Sequence, residues 1–142
     1  MLSEKQMALA TRCLWSLQES TLDIGGLLLT FVDGLTVTST LDGGDSTQRL
    51  AAVATTMFLL GEEASELWGR GESLEMYITL RDEDDPRILR TVYMCPVGYQ
   101  AVMVAVIDVE HVAPPLKAHL HRAATYLQAV LDGATPSLPL WD

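Results

Sequence analysis

A helical segment near Thr47 to Gly69 sets the strongest limit on the architecture of this chain. The first half of the segment carries apolar residues on all sides, among them Leu50 to Val53, Ala54 and Met57 to Leu60. A helix at the edge of a domain needs one apolar stripe, whereas a helix that is apolar all round is covered on both sides. The chain has 142 residues, which is enough for one domain and little more. The pattern therefore predicts self-association through this helix, unless loops or a terminal segment of the same chain cover its second face.

The residues before this helix predict a capped helix and a β-hairpin. Ser3 followed by Gln6 matches a capping box at the start of an N-terminal amphipathic helix. The stretch "GGLLLTFVDGLTVTST", residues 25–40, contains two short apolar or β-branched runs. Asp33-Gly34 lies between the runs and tolerates positive φ, which is a strong hairpin signal. Asp45 or Ser46 is then predicted to cap the second helix.

Three further strands and a third helix are predicted after the second helix. "SLEMYITL" alternates apolar and polar residues like a half-buried strand, and residues 87–95 and 100–107 form two more strands. The last of these contains the continuous apolar run "AVMVAVI", which favours a central place in the sheet. Pro114-Pro115 open the third helix, and Gly133 ends it.

This order of elements predicts an α+β fold. We expect a five-stranded, mostly antiparallel sheet with covering helices in the order α-β-β-α-β-β-β-α. Residues 1–133 are expected to form a single domain, followed by an extended C-terminal tail over residues 134–142. Trp141 in this tail either docks on the domain or is exposed.

Composition argues against several kinds of partner. The net charge is −10, and the nine basic residues are scattered, which argues against nucleic acid and anionic membranes as partners. Cys13 and Cys95 lie in apolar segments and outside any CxxC motif, so we expect reduced, buried thiols. No window is long and apolar enough for a membrane span, and the N-terminus lacks a secretory pattern. The expected location is the cytoplasm.

The sequence offers no catalytic constellation. His119 and His121 are two residues apart on a helix and point to different faces, which does not suit a metal site. The sequence contains no nucleophile elbow, P-loop or dinucleotide-binding fingerprint. Residues 82–85 are predicted to form a solvated acidic turn. We therefore expect no catalytic residue, cofactor or metal. Arg70 lies between two glycines; it could act on a partner's phosphates as an arginine finger, or neutralise carbonyls at the helix end.

Three stretches of the chain resemble the roadblock family, which includes dynein light chains of the roadblock type and bacterial regulators of Ras-like GTPases. "GGLLLTFVDGLTVTST" resembles the first hairpin of the family. "QRLAAVATTMFLLGEEASELWGRGESLEMYITL" resembles its alanine-rich second helix and third strand, and "VGYQAVMVAVIDVEHVAPPLKAHLHRAATYLQAVL" its last strand and C-terminal helix. The chain differs from the usual pattern at Pro114-Pro115 and in the acidic "RDEDDP" hairpin.

The resemblance implies a non-enzymatic homodimer. In the family, second helices pack together and third strands pair into one continuous sheet, and bacterial members commonly bind a small Ras-like GTPase. Some members stimulate GTP hydrolysis by reorganising the GTPase's own residues, which lessens the case for an arginine finger. Periodicity alone does not show which side of the second helix meets the partner copy. The candidate residues of the dimer interface are Val53, Ala54, Met57, Leu60, Tyr77 and Thr79.

Two other functions remain open at this point. The chain could be a purely structural scaffold of the light-chain kind, with no effect on nucleotide turnover. It could also be a ligand sensor, since PAS-like and profilin-like domains use similar sheets to hold small molecules or peptides. A sensor needs a cavity with convergent polar groups, whereas this sequence supplies mostly small and aliphatic residues.

Overall fold

The chain forms one antiparallel sheet with helices on both of its faces. A computed structural model describes residues 2–69, 71 and 74–141. Along the chain the elements are α1 (Glu4–Glu19), β1 (Ile24–Phe31), β2 (Thr36–Ser39), α2 (Asp45–Trp68), β3 (Met76–Arg81), β4 (Leu89–Val97), β5 (Ala101–Ile107) and α3 (Pro114–Leu131). This is the predicted order α-β-β-α-β-β-β-α, and the predicted α+β fold class is confirmed.

The five strands lie in the order β2-β1-β5-β4-β3, and every neighbouring pair is antiparallel. β5 occupies the centre, as its continuous apolar sequence predicted, and its residues are buried or nearly so. β2 and β3 are the two edge strands. Residue pairs such as Tyr77 with Tyr93 fix the register between β3 and β4.

Two hydrophobic clusters cover the two faces of the sheet. α1 and α3 pack against each other and bury one face, with residues such as Leu14, Leu120 and Leu127 fully buried. α2 covers the other face through a smaller cluster. This second cluster consists of Leu28, Ala51, Ala54, Phe58, Val92, Met94, Val102 and Val104.

The start of α1 follows the predicted capping box. The Gln6 backbone N–H donates to the Ser3 hydroxyl at 3.1 Å, and the Ser3 backbone N–H donates to Gln6 Oε1 at 2.8 Å. The predicted cap of α2 is wrong. The helix begins at Asp45, one residue after an extended Gly44, and no side chain caps it. Asp45 instead lies in the first turn, where its charge suits the helix dipole, and it pairs with Arg49 at 2.9 Å.

Asp33 and Gly34 are the two residues of the β1–β2 turn that were expected to tolerate positive φ, and only Gly34 adopts it. Gly34 has a φ of 91°, whereas no described residue other than glycine has positive φ. The Gly34 N–H donates to Phe31 O and the Phe31 N–H donates to Leu35 O, both at 2.9 Å. This pattern is a three-residue loop ending in a left-handed glycine. Asp33 contributes its carboxylate, which accepts the Leu35 N–H at 2.9 Å.

The C-terminal tail docks on α1 and α3. Beyond Gly133, the described residues to 141 contain no helix or strand. Trp141 Nε1 donates to Ser16 Oγ at 2.7 Å, and the indole ring meets the His119 ring edge to face at 5.8 Å. Leu138 and Trp141 also pack against the larger hydrophobic cluster. Of the two alternatives for Trp141, the structure shows the docked one.

Candidate protein-interaction surface

The outer flank of α2 is an exposed apolar stripe. Val53 and Leu60 are each 54% exposed, although both are large aliphatic residues. Met57 and Ala64 continue the same flank, because the spacing i, i+4, i+7, i+11 follows one side of a helix. Leu67 and Trp68 extend it to the end of the helix, and both are largely exposed. We call Val53, Met57, Leu60, Ala64, Leu67 and Trp68 the α2 stripe.

The strand β3 has a free edge. Among the described strands, β3 pairs only with β4. Its second edge therefore presents backbone N–H and C=O groups to any strand of matching length. Met76 and Ile78 pack at the rim of the α2-side cluster, as does Met57. Met57 of the α2 stripe therefore packs against the same hydrophobic cluster as these two residues of the edge strand.

The opposite side of β3 carries the two predicted interface residues of that strand. Tyr77 and Thr79 are exposed and alternate with Met76 and Ile78, so they face the α3 side of the sheet. The Tyr77 ring meets the buried Tyr93 ring edge to face at 5.2 Å. By the same alternation Leu80 lies on the side of Met76 and Ile78, and it is exposed.

The predicted residues of α2 divide between its two sides. Val53 and Leu60 are exposed, and Met57 is half-buried at the rim of the α2-side cluster. Ala54 is 1% exposed and packs against the sheet inside the chain, so it has no surface to offer a partner. The small side chains of Ala51 and Ala54 allow the helix backbone to approach the sheet closely.

Glu75 connects the start of β3 to α3. Its Oε1 accepts from Lys117 Nζ at 2.7 Å, while its Oε2 accepts from the Tyr93 hydroxyl at 3.2 Å and lies 3.3 Å from His121 Nε2. Burial acts to raise the pKa of Glu75, but the hydrogen bonds from Lys117, His121 and Tyr93 outweigh it. The pKa of this carboxyl therefore lies below its usual value. The charged form of Glu75 holds the edge strand against the helix behind it.

The acidic turn after β3 is organised by its own carboxylates. Asp82 accepts the backbone N–H groups of Asp84 and Asp85 at 3.0 and 2.9 Å, and pairs with Arg90 at 2.6 Å. The Arg90 hydrogen bond is the main reason that the pKa of Asp82 is lowered. These contacts order a solvent-exposed turn at the end of the β3–β4 hairpin.

The remaining candidate groups do not converge on a reactive centre. Cys13 and Cys95 are buried free thiols, and burial raises the pKa of each to about 12. Such thiols are inert at neutral pH. Within the described residues no group of three or more His, Cys, Asp or Glu side chains is placed to hold a metal ion. Arg70, the candidate partner contact, lies outside the described residues.

Sequence reasoning missed Leu67, Trp68 and Glu75. Leu67 and Trp68 lie in the second half of α2, where the apolar residues are sparser and the all-round pattern has ended. Glu75 was part of the polar face of a predicted strand, and its partners Lys117 and His121 are 42 and 46 residues away along the chain. No local pattern signals such a contact; only the packing of α3 behind β3 produces it.

The arrangement just described, a five-stranded antiparallel sheet with α2 on one face and α1 and α3 on the other, is the roadblock fold. The comparison with solved structures confirms the resemblance at this level. The structure is similar to MglB from Myxococcus xanthus, with a TM-score of 0.78 and 14% sequence identity over 98% of this chain and 99% of that chain. No protein-family model and no curated protein matches the sequence.

Two further solved structures show the same likeness. The gliding protein MglB from Thermus thermophilus superposes with a TM-score of 0.74 and 19% identity, covering 94% of this chain and 96% of that chain. A Roadblock/LC7 domain from Streptomyces avermitilis gives a TM-score of 0.75 and 18% identity, over 86% of this chain and 97% of that chain. The chain therefore has the fold of roadblock domains over nearly its whole length.

One structural property bears on membranes. Within the described part of the chain, no helix is both long enough and apolar enough to cross a bilayer.

Proposed function

We propose that this chain is a non-enzymatic homodimeric adaptor that binds a small Ras-like GTPase and modulates its GTP hydrolysis. The observation that carries the proposal is the exposed α2 stripe, of which Met57 packs against the same hydrophobic cluster as Met76 and Ile78 of the edge strand β3. The GTPase enters the proposal through the roadblock fold, whose bacterial members commonly bind such GTPases. The likeness to two MglB structures supports this choice of partner.

The proposed dimer pairs two copies through β3 and α2. Antiparallel pairing of the two β3 edges would satisfy the backbone groups that β3 leaves open and join two sheets into one. Val53, Met57 and Leu60 would then pack against the same residues of the second copy. Tyr77 and Thr79 would lie on the other face of the joined sheet, next to the strand junction.

Hydrophobic burial favours this arrangement. Exposed apolar side chains gain roughly 25 cal/mol for each Å² that they remove from water. Isolated exposed residues need no explanation, but a contiguous apolar patch on a soluble domain marks an interaction site. The exposed residues of the α2 stripe follow one side of the helix and form such a patch, and an identical patch on a second copy is its simplest complement.

The first experiment measures the mass of the chain by light scattering at several concentrations. A dimer gives twice the chain mass of 15.5 kDa, and a tetramer, the arrangement described for one MglB structure, gives four times that mass. Val53→Glu and Leu60→Glu each place a charge in the stripe and should yield folded monomers. Gln48→Glu adds the same charge on the other flank of α2 and should leave the dimer intact. A wild-type monomer at all concentrations would refute the dimer.

The second experiment tests the GTPase. The small Ras-like GTPases encoded in the same genome are purified, loaded with GTP and assayed for binding and for hydrolysis with and without the chain. Binding with an altered hydrolysis rate supports the proposal, and Arg70→Ala tests the proposed partner contact of that residue. If Arg70→Ala changes the GTP hydrolysis rate as much as the wild-type chain does, the residues that carry out hydrolysis belong to the GTPase. A dimer that binds none of these GTPases would instead indicate the structural scaffold.

A further inference from the structure

The second flank of α2 borders an apolar cleft that lies apart from the α2 stripe. The cleft has a volume of about 230 Å³ and lies between α2 and the turn that joins β4 to β5. It is lined by Val32, Phe58, Leu59, Pro96, Gly98 and Tyr99, with Glu62 at its rim. Its size suits one large apolar side chain rather than a drug-sized ligand, for which pockets of roughly 300–1,000 Å³ are usual.

The cleft and the α2 stripe lie on opposite flanks of the helix. Thr55, Leu59 and Glu62 follow one another at i, i+4 and i+7, so they share one flank. A Cβ atom on Gly34 would lie 3.7 Å from Thr55 Oγ1, which places this flank toward the β1–β2 turn. Val53, Met57 and Leu60 follow one another at i, i+4 and i+7 on a different flank, and Met57 packs against the cluster that also contacts Met76 and Ile78 of β3. A dimer formed through the stripe therefore leaves the cleft open.

Two residues of the cleft present apolar surface that their own chain does not cover. Tyr99 is 94% exposed at the tip of the β4–β5 turn, and Leu59 is 55% exposed on the helix opposite. The turn itself is held in place, because the Val32 N–H donates to Gln100 O at 2.9 Å. The two walls are thus fixed elements, and Tyr99 and Leu59 stand at the mouth between them.

The rim of the cleft is acidic. Glu62 also lines a neighbouring cleft at the end of α2, together with Glu66. These carboxylates are one helical turn apart, and repulsion at this spacing is unfavourable to the helix. No described residue forms an ion pair with either of them, and no described lysine or arginine lines either cleft. A cationic partner would relieve this repulsion.

We propose that this cleft binds a segment of a partner protein in which a large apolar residue is flanked by lysine or arginine. The apolar side chain enters between Leu59 and Tyr99, and the basic side chains reach Glu62 and Glu66. The charge of the whole chain, −10, attracts such a segment and repels a second copy of the chain. The inference rests on the proposed adaptor function only in that the chain acts by binding proteins, and it does not depend on which GTPase is bound.

The test selects short random peptides displayed on phage against the immobilised full chain. Enriched peptides are then synthesised with a fluorescent label, and their affinities are measured by anisotropy. We expect sequences with one large apolar residue beside Lys or Arg, and affinities that fall as NaCl increases. Tyr99→Ser and Leu59→Ser should each weaken binding about tenfold, as removal of a central apolar anchor does.

Matched variants separate the cleft from general attraction to an acidic protein. Glu62→Gln together with Glu66→Gln should weaken binding several-fold, whereas Glu63→Gln removes one charge from another side of the same helix and should change little. Leu22→Ser, at an exposed leucine far from the cleft in sequence, is the control for the apolar variants. Light scattering of Tyr99→Ser should give the wild-type mass.

Several results would overturn the inference. These are a failure to enrich any peptide, enriched peptides without basic residues, and peptides that bind Tyr99→Ser as well as the wild type. A change in mass for Tyr99→Ser would make the cleft a contact between copies and would also refute it. If a GTPase binds the chain but no peptide binds the cleft, the proposed adaptor function is still supported and the cleft inference is refuted. If peptides bind the cleft but no GTPase binds the chain, the cleft inference is still supported and the GTPase proposal is not.

Discussion

At the scale of single residues, Glu75 joins the start of the edge strand to two other elements of the fold. It lies just before β3, and its partners come from β4 and α3. A charged hydrogen bond inside a protein is stronger than an exposed ion pair because less water competes for it. Glu75 is about one-fifth exposed, so its contacts retain part of this advantage. We infer that Glu75 sets the position of the edge strand that a second copy would meet.

Replacement of Glu75 tests this role through pH. The folded-state pKa of Glu75 is lowered, so its contribution to stability is present above the unfolded-state pKa and is lost as pH falls through the folded-state pKa. At pH 7 we expect Glu75→Gln to lower the free energy of unfolding by about 1 kcal/mol. The difference between the two proteins should shrink below about pH 4. Urea unfolding followed by circular dichroism measures it.

The control for this experiment is Glu83→Gln. Glu83 is an exposed carboxylate of the acidic turn, and its replacement should leave the free energy of unfolding nearly unchanged at every pH. A Glu75→Gln protein that lost the same stability at low pH as at pH 7 would show that geometry, and not the charge of Glu75, holds the strand.

At the scale of elements, α2 has two halves with different support. Its buried residues all lie between Thr47 and Phe58, and the described residues from 59 to 68 are exposed or only partly buried. A short helical segment without tertiary contacts is marginal in water. The second half of α2 nevertheless carries Leu60, Leu67 and Trp68. We infer that contacts with another copy, rather than with the chain's own sheet, stabilise this half.

Hydrogen exchange can compare the two halves directly. If the wild-type chain forms the proposed dimer, amides of residues 59–68 should be protected from exchange. In the monomeric Val53→Glu protein, these amides should exchange at least about tenfold faster, while those of residues 47–58 stay protected by the sheet. Mass spectrometry of peptic fragments measures both segments in one sample. Equal protection of the two halves in a monomer would contradict the inference.

The elements also show what the sequence could and could not predict. Ser3 and Gln6 predicted the start of α1 because a capping box is a local pattern. The α2 cap was not predictable from side chains, because Gly44 takes that position without a capping hydrogen bond. The sequence could not show whether Ala54 faces the sheet or a partner, because a helix with apolar residues on all sides has no single apolar face. The cleft walls at Val32, Leu59 and Tyr99 come from three separate segments, which only the fold brings together.

At the scale of the whole molecule, the arrangement of layers leaves few places for a second copy. α1 and α3 cover one face of the sheet, α2 covers the other, and the tail closes the α1–α3 side. The edges of β2 and β3 and the exposed flank of α2 remain open among the described elements, and only β3 has apolar residues that pack against the same cluster as the α2 stripe residue Met57. The proposed dimer would use this surface, while the cleft on the other flank of α2 would stay free for a different protein.

The net charge of the chain should make the proposed dimerisation depend on salt concentration. Each copy carries a net charge of −10, so two copies repel each other over the screening length of the solution. That length is about 30 Å at 0.01 M salt and about 8 Å at 0.15 M. The α2 stripe contains no charged residue, so the proposed interface offers little attraction between charges to compensate. We therefore expect the dimer dissociation constant to fall several-fold as NaCl rises between these two concentrations.

Sedimentation velocity at a series of protein concentrations measures this dissociation constant at each NaCl concentration. The variant Glu63→Gln carries one negative charge fewer on α2 and should show a weaker salt dependence, with a tighter dimer at low salt. A wild-type dissociation constant that rose with NaCl would mean that opposite charges hold the two copies together. The α2 stripe would then not be the main contact, and the surface proposed for dimerisation would have to be assigned elsewhere on the molecule.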